Sequence, residues 1–305
     1  MDKEQIYRLL STEIDPANIK MDEPMKAHTS FKIGGPADIF VTPDKLNEIY
    51  GVLRICGEHG VPLLVMGNGT DLLVLDGGIR GMVMQIAHKW AKVDIDNTLV
   101  TVQSGILLSR LCKTLAKRGL GGMEFAAGIP GTLGGALVMN AGAYGGEMKD
   151  VVQAVRAIDA NGNDRWFRSE ELEYGYRSSI FRNGRYTLLE AKLCLEPREP
   201  RVCMDNINDL NLRRRTKQPL EYPSAGSVFK RPSGCYVGPM IEQAGLKGMR
   251  VGDAQVSEKH AGFIINRGNA TARDVLELIN IVRQRIKELF GVELELEIQV
   301  VGDEN

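Results

Sequence analysis

The stretch GIPGTLGGALVMNAGAYGGE, Gly128 to Glu147, carries seven glycines around an apolar run, Leu137, Val138 and Met139, that reads as the opening of a helix. Glycines gathered beside a helix start let backbone N–H groups approach a ligand closely, most often a phosphate. The paired glycines are followed by Ala136 and Leu137 rather than by the Lys-Ser/Thr of a nucleoside-triphosphate loop, so the stretch does not support phosphoryl transfer. What it demands is a fold that brings a bare loop against something anionic.

The flanking pattern supplies such a frame. DIFVTP reads as a strand, PDKLNEIYGVLRICGEHG as a helix and VPLLVMG as a buried strand, a β-α-β unit that runs into a second glycine stretch, GNGTDLL, Gly67 to Leu73. That stretch lacks the third glycine of a dinucleotide fingerprint and follows the second strand, so it matches a Rossmann turn only loosely. Between Gly78 and Pro197 the pattern turns to strands, GMVMQI, TLVTVQSG, VVQAVRAID and YTLLEAKLCL, with a hairpin turn at ANGN and one helix, ILLSRLCKTLAKRG. The proline- and charge-rich EPREPRV, Glu196 to Val202, is the expected domain boundary. The chain closes with a helix whose Val275, Leu278, Ile279, Val282, Ile286 and Leu289 share one face, then VELELEIQVV as an alternating strand.

Composition narrows the function classes. A formal net charge of −1 offers no basic excess for nucleic acid, and RRRTK, Arg213 to Lys217, reads by itself as a solvated helix face. Five cysteines without a C-x-x-C pair fit a reducing cytoplasm, and four scattered histidines lack the spacing of a metal site. The opening MDKEQIYRLL does not read as a secretory signal, and no apolar run approaches the ~20 residues that span a bilayer.

Three segments carry candidate chemistry. In the closing strand Glu293, Glu295 and Glu297 share the polar face, and periodicity cannot choose among them. In PSAGSVFKRP small neighbours leave the Ser227 hydroxyl accessible, with Lys230 and Arg231 supplying charge. In YGYRSSIF, Arg177 lies beside two serines in an aromatic setting suited to a carboxylate or phosphate; an arginine packed on tyrosine fits equally well.

Taken in order, HTSFKIGGPAD, GNGTDLLV, GIPGTLGGALVMNAGAYGGE, YGYRSSIF, PSAGSVFKRP, GPMIEQAGLKG, DAQVSEKHAGFIIN and ELEIQVVG resemble one family over nearly the whole chain. It is the UDP-N-acetylenolpyruvylglucosamine reductases, or UDP-N-acetylmuramate dehydrogenases, flavoenzymes of bacterial peptidoglycan precursor synthesis. The chain resembles the shorter branch, without an inserted lid loop. The resemblance implies an α+β chain: a two-part FAD-binding domain of the vanillyl-alcohol-oxidase type over residues 1–199, its parts at about 20–75 and 76–199, then a smaller α+β substrate-binding domain over 200–305.

By the same resemblance, Gly67, Asn68, Gly69, Thr70 and Asp71 hold noncovalent FAD together with Gly128, Ile129, Pro130, Gly131, Thr132, Gly134, Gly135, Asn140, Ala141 and Gly142. Backbone amides there surround the pyrophosphate without a lysine. The family often has asparagine where His28 and Asp71 stand, so the Asp71 side chain is expected to point away, and His28 is not expected to attach flavin covalently. NADPH is the expected donor, leaving before UDP-N-acetylglucosamine enolpyruvate enters the same cleft. Hydride reaches C3 of the enolpyruvyl ether, and charge at C2 spreads onto the carboxylate as an enolate. Arg177 and Glu297 match the residues that stabilise it, Glu297 in protonated form or through a partner, and Ser227 matches the proton donor to C2. Tyr144, Arg213, Lys217, Lys230 and Arg231 fall where the sugar nucleotide is bound, Lys230 also being the candidate to activate Ser227; Arg231 replaces the asparagine of some relatives. A cytoplasmic monomer with no metal, nucleic-acid or membrane partner is expected. A sugar or lactone oxidase of the same superfamily would use oxygen instead of NADPH, and a flavin-binding protein without activity would leave the Ser227 and Glu297 pair idle.

Overall fold

The computed structural model describes residues 1–232 and 234–304. They form two compact units, one from Met1–Met21, Ile39–Asn68 and Gly81–Arg214, the other from Asp22–Asp38, Gly69–Arg80 and the chain from Arg215 onward. Both mix helices with strands, as an α+β reading requires, but neither unit is contiguous in sequence.

The first unit contains α1 (Lys3–Leu10), α2 (Leu46–His59), α3 (Leu108–Lys117), α4 (Leu133–Met139) and most of α5 (Pro200–Lys217). Leu63–Met66 runs parallel to Met82–Gln85, and α2 buries Ile49, Val52, Ile55 and Cys56 in a core shared with Ile39, Val41, Met82 and Met84. A second core lies on a five-stranded sheet with the strand order Asp164–Arg168, Val152–Asp159, Tyr186–Cys194, Leu99–Gln103, Val93–Asp96. Its ANGN hairpin forms where expected: Asp159 Oδ1 accepts the N–H groups of Asn161 and Asn163, each at 2.9 Å.

The expected boundary at 196–202 is instead built into this unit. Glu196–Pro197 pairs with Leu120–Gly121, Arg198 Nη1 donates to Glu124 Oε1 at 3.1 Å, and Cys203 and Ile207 of α5 are wholly buried. The prolines that read as a linker serve an edge strand and the first residue of a helix, two places where a missing N–H costs little. Burial opposes the charge on Glu124, but the Gly122 N–H at 2.7 Å, the Cys203 thiol and Arg198 outweigh it and hold the carboxyl below the usual range.

In the second unit, α6 (Val237–Gln243) and α7 (Ala272–Phe290) accompany a three-stranded antiparallel sheet, Arg250–Val251, Ala254–Val256 and Ile264–Asn266. Thr271 caps α7 by accepting the Asp274 N–H at 3.0 Å, and Val275, Leu278, Ile279, Val282 and Ile286 are buried as the spacing predicts. Leu289, expected on that face, is 47% exposed because the last turn runs beyond the core. The closing segment also departs from expectation, since only Gln299–Val301 is regular strand, parallel to Leu72–Val74. Before it, residues 292–296 run alongside the Ser227 segment through a single Phe229–Leu296 bridge, and the chain bends at Glu297 and Ile298. Among the described residues no helix is long and apolar enough to cross a membrane.

Candidate functional site

In the first unit the two glycine stretches meet at the start of α4. A Cβ on Gly67 would lie 2.2 Å from Thr132 Oγ1, a distance no side chain tolerates, so glycine is what admits the contact. Asn68 Nδ2 donates to Pro130 O at 3.1 Å and Gln85 Nε2 to Gly67 O at 3.0 Å, tying both stretches down. Thr132, 1% exposed, caps α4, its Oγ1 accepting the Gly135 N–H at 3.4 Å.

The amides divide into two groups. Leu133 and Gly134 donate to Ile106 O (2.9 Å) and Ser104 O (2.7 Å), and Ile129 to Ala126 O (3.0 Å). Those of Gly131 and Thr132 meet no acceptor among the described residues. Gly134 serves packing, since a Cβ there would lie 3.1 Å from Ser104 Cβ, whereas a Cβ on Gly135 would meet nothing nearer than 3.8 Å. Orphaned amides beside an open glycine fit the diphosphate of a dinucleotide cofactor. A helix of seven residues adds little dipole, so these amides carry the fit.

Asn140, Ala141 and Gly142 have protein partners instead. Asn140, wholly buried, binds Glu147, Gly175 and Lys149 through its side chain; Ala141 donates to Ala136 O at 2.9 Å; Gly142 pairs with Glu147. Arg177 sits at a tight turn in which Gly175 and Ser178 exchange backbone hydrogen bonds of 3.1 and 3.3 Å. Its φ of 53° is one that glycine or asparagine usually takes in such a turn, so the half-buried guanidinium is displayed at a conformational cost. Nη2 donates to Gly142 O at 3.3 Å, which joins the Arg177 turn to the glycine-rich hairpin.

Tyr144 lies at the tip of that hairpin, 46% exposed with φ 54°. Arg213 is exposed and paired with Asp209 at 2.8 Å, the solvated-face arrangement its sequence run suggests. Its neighbour Arg214 is the one turned inward: a Cβ on Gly128 would lie 3.0 Å from its Cδ, and it has no ion pair among the described residues. Burial lowers the Arg214 pKa, and Tyr144 opposes this. Three consecutive arginines gave no periodicity from which to pick the buried one. The Tyr174 hydroxyl is likewise buried without a partner among the described residues, and burial pushes its pKa up.

In the second unit the three glutamates of the closing segment have different surroundings. Val228 N–H donates to Gly262 O (3.0 Å), Glu297 N–H to Val228 O (2.8 Å) and Lys230 N–H to Glu295 O (2.8 Å). Glu297 is thereby fixed beside Val228, the residue that follows Ser227, and Ser227 and Glu297 are both half-buried. Glu293 and Glu295 are exposed and bind Lys287 (2.6 Å) and Lys230 Nζ (2.9 Å). Lys230 is thus committed to a surface ion pair, which weakens its candidacy as the activator of Ser227. Arg231 is exposed, stacked 3.7 Å over the Tyr236 ring, and Lys217 ends α5 in solvent.

The rest of the first glycine stretch also belongs to this unit. Gly69 O accepts the Ser30 N–H at 3.0 Å, and Ser30 Oγ donates to Thr70 O (3.4 Å) and Ser224 O (2.6 Å), linking the stretch to the Ser227 segment. Asp71 O and Oδ2 accept from Gln299 N–H (2.8 Å) and Nε2 (3.3 Å), so a protein amide engages the carboxylate that stands where relatives have asparagine. His28 Nε2 lies 2.7 Å from Glu23 Oε1.

Residues 37–167 match the model of an FAD binding domain, and residues 218–301 match that of the UDP-N-acetylenolpyruvoylglucosamine reductase C-terminal domain. The chain is 50% identical to UDP-N-acetylenolpyruvoylglucosamine reductase of Alkaliphilus oremlandii (strain OhILAs) over 304 residues, 100% of both chains. Its structure is similar to the crystal structure of UDP-N-acetylenolpyruvylglucosamine reductase from Thermus caldophilus, with a TM-score of 0.79 and 36% identity over 92% of this chain and 97% of that one. Alkyldihydroxyacetonephosphate synthase shares the fold at 18% identity and a TM-score of 0.51, over 64% of this chain and 40% of that one.

Proposed function

Because the chain belongs to the UDP-N-acetylenolpyruvoylglucosamine reductase family of flavin oxidoreductases, we propose that it reduces UDP-N-acetylglucosamine enolpyruvate to UDP-N-acetylmuramate with NADPH, as a cytoplasmic monomer holding FAD noncovalently. The observation that carries the cofactor assignment is the meeting of Gly67 and Asn68 with Pro130 to Thr132, which leaves the Gly131 and Thr132 amides without protein acceptors. Bound there, FAD supplies the two-electron relay between NADPH and C3 of the enolpyruvyl ether.

The chain's own residues handle the charge and the proton. Arg177 grips the enolpyruvyl carboxylate, and its planar fork is suited to the enolate that develops across those oxygens. Glu297 assists as a protonated acid or through a hydrogen-bond partner, because an ionised carboxylate would repel the enolate. Ser227 Oγ delivers a proton to C2. With Lys230 bound to Glu295, that proton is replenished by water or by another group. Arg214, half-buried and without an ion pair among the described residues, takes the diphosphate-binding part expected of Arg213.

Reconstitution with FAD tests the reading. The protein should stay yellow through gel filtration, release its flavin in mild acid, and oxidise NADPH only when the enolpyruvyl sugar nucleotide is present. Flavin that remains with the denatured chain would overturn noncovalent binding. Oxygen-dependent turnover of a simple sugar would point to an oxidase instead.

A further inference from the structure

The Asn140 side chain has an unusual set of duties for a residue in a glycine-rich cofactor stretch. It is wholly buried at the C-terminal end of α4, in the left-handed conformation, φ 42° and ψ 54°. Its Nδ2 donates to Glu147 Oε2 at 2.6 Å and to Gly175 O at 3.0 Å, and its Oδ1 accepts the Lys149 N–H at 2.9 Å. Three of its four hydrogen-bonding positions are thus filled by protein.

Gly175 opens the turn that displays Arg177. The far end of that turn is held by the same helix end, because Ser179 Oγ donates to Val138 O at 2.7 Å. The last turn of α4 therefore anchors both sides of a turn whose own two backbone hydrogen bonds work against the cost of the positive φ at Arg177. Through Glu147 and Lys149 the same carboxamide fixes the hairpin whose Gly142 carbonyl accepts from Arg177 Nη2 at 3.3 Å.

We propose that Asn140 is a positioning residue for Arg177, its carboxamide locking the 175–178 turn to the glycine-rich hairpin so that the guanidinium is held ready for a substrate carboxylate. This rests on the reading of Arg177 as the enolate anchor.

Asn140→Gly is the cleanest variant, since glycine keeps the left-handed backbone while the side chain and its three hydrogen bonds are removed. Asn140→Asp still accepts from Lys149 but cannot donate to Gly175. In holoenzyme, Asn140→Gly should slow reoxidation of the reduced flavin by the enolpyruvyl sugar nucleotide roughly 10- to 100-fold while changing flavin reduction by NADPH less than about threefold. Calorimetric affinity for UDP-N-acetylmuramate should fall in Asn140→Gly and in Arg177→Lys. The double variant should bind no more weakly, and reoxidise no more slowly, than Arg177→Lys alone, within about twofold. If Asn140→Gly multiplies the loss caused by a selective Arg177→Lys, or slows both half-reactions equally, the positioning role is overturned while the reading of Arg177 stands. Arg177→Lys slowing both half-reactions equally would remove that reading and the proposal together. Loss of folding or of FAD in both Asn140 variants would make the residue structural and overturn the proposal.

Discussion

At the start of α4 the chain presents backbone and withholds side chains, whereas around Ser227 it pairs its backbone and presents side chains. Gly67 admits the Thr132 contact and Gly135 is exposed with room around it, beside the Gly131 and Thr132 amides, which have no acceptor among the described residues. In the second, the Val228, Lys230 and Glu297 amides all donate to protein carbonyls, which leaves the Ser227 hydroxyl and the Glu297 carboxyl as the distinctive groups. A backbone site suits a resident diphosphate, which needs many equivalent donors; a side-chain site suits a reaction, which needs one proton at one atom.

The largest expected effect breaks the backbone side. Gly67→Ala places a methyl group against Thr132 Oγ1 and should abolish FAD retention, losing both half-reactions together, as flavin absorbance after gel filtration will report. Gly135→Ala is the sharper companion. Its Cβ has room in the protein, and alanine favours a helix by about 1 kcal/mol over glycine, so the thermal midpoint of the chain without flavin should hold or rise. FAD affinity should nevertheless fall, and unchanged affinity would move the cofactor away from that residue.

The side-chain region should respond in one half-reaction only. Glu297→Gln should slow reduction of the enolpyruvyl group by roughly 10²-fold with flavin reduction by NADPH near normal, Glu295→Gln should be milder, and Glu293→Gln silent. A crippling Glu295→Gln beside a harmless Glu297→Gln would show that the segment next to Ser227 has been read in the wrong register.

How far these regions could be read from sequence follows the same contrast. The glycine stretches, the α7 face from Val275 to Ile286 and the strand Val152–Asp159 were legible, because each rests on local composition or on one period. Glu297 was not separable from Glu293 and Glu295 by alternation. What separates them is the bend after residue 296 and the two lysines, contacts made far along the chain. Arg214 was hidden inside a basic run for the same reason. The prolines of 196–202 misled because an edge strand and a helix start use proline as readily as a linker does.

The smallest effect concerns Glu124, which Gly122, Cys203 and Arg198 hold in the first unit. Glu124 ionises below the ordinary carboxyl value of 4.5 despite its burial, so it stabilises the fold above that pH, and the contribution is lost as pH falls through its lower folded value. Glu124→Gln should flatten the acid limb of the thermal midpoint plotted against pH. Glu293→Gln, at a fully exposed ion pair, should leave that limb unchanged.

Single-turnover reoxidation of NADPH-reduced Ser227→Ala holoenzyme by the enolpyruvyl sugar nucleotide tests most directly whether proton delivery resides in the side-chain region. Flavin reduction by NADPH should stay within about twofold of the parent while reoxidation slows by roughly 10²- to 10⁴-fold. Reoxidation at the parent rate, or equal slowing of both half-reactions, would contradict the assignment of Ser227 as the proton donor.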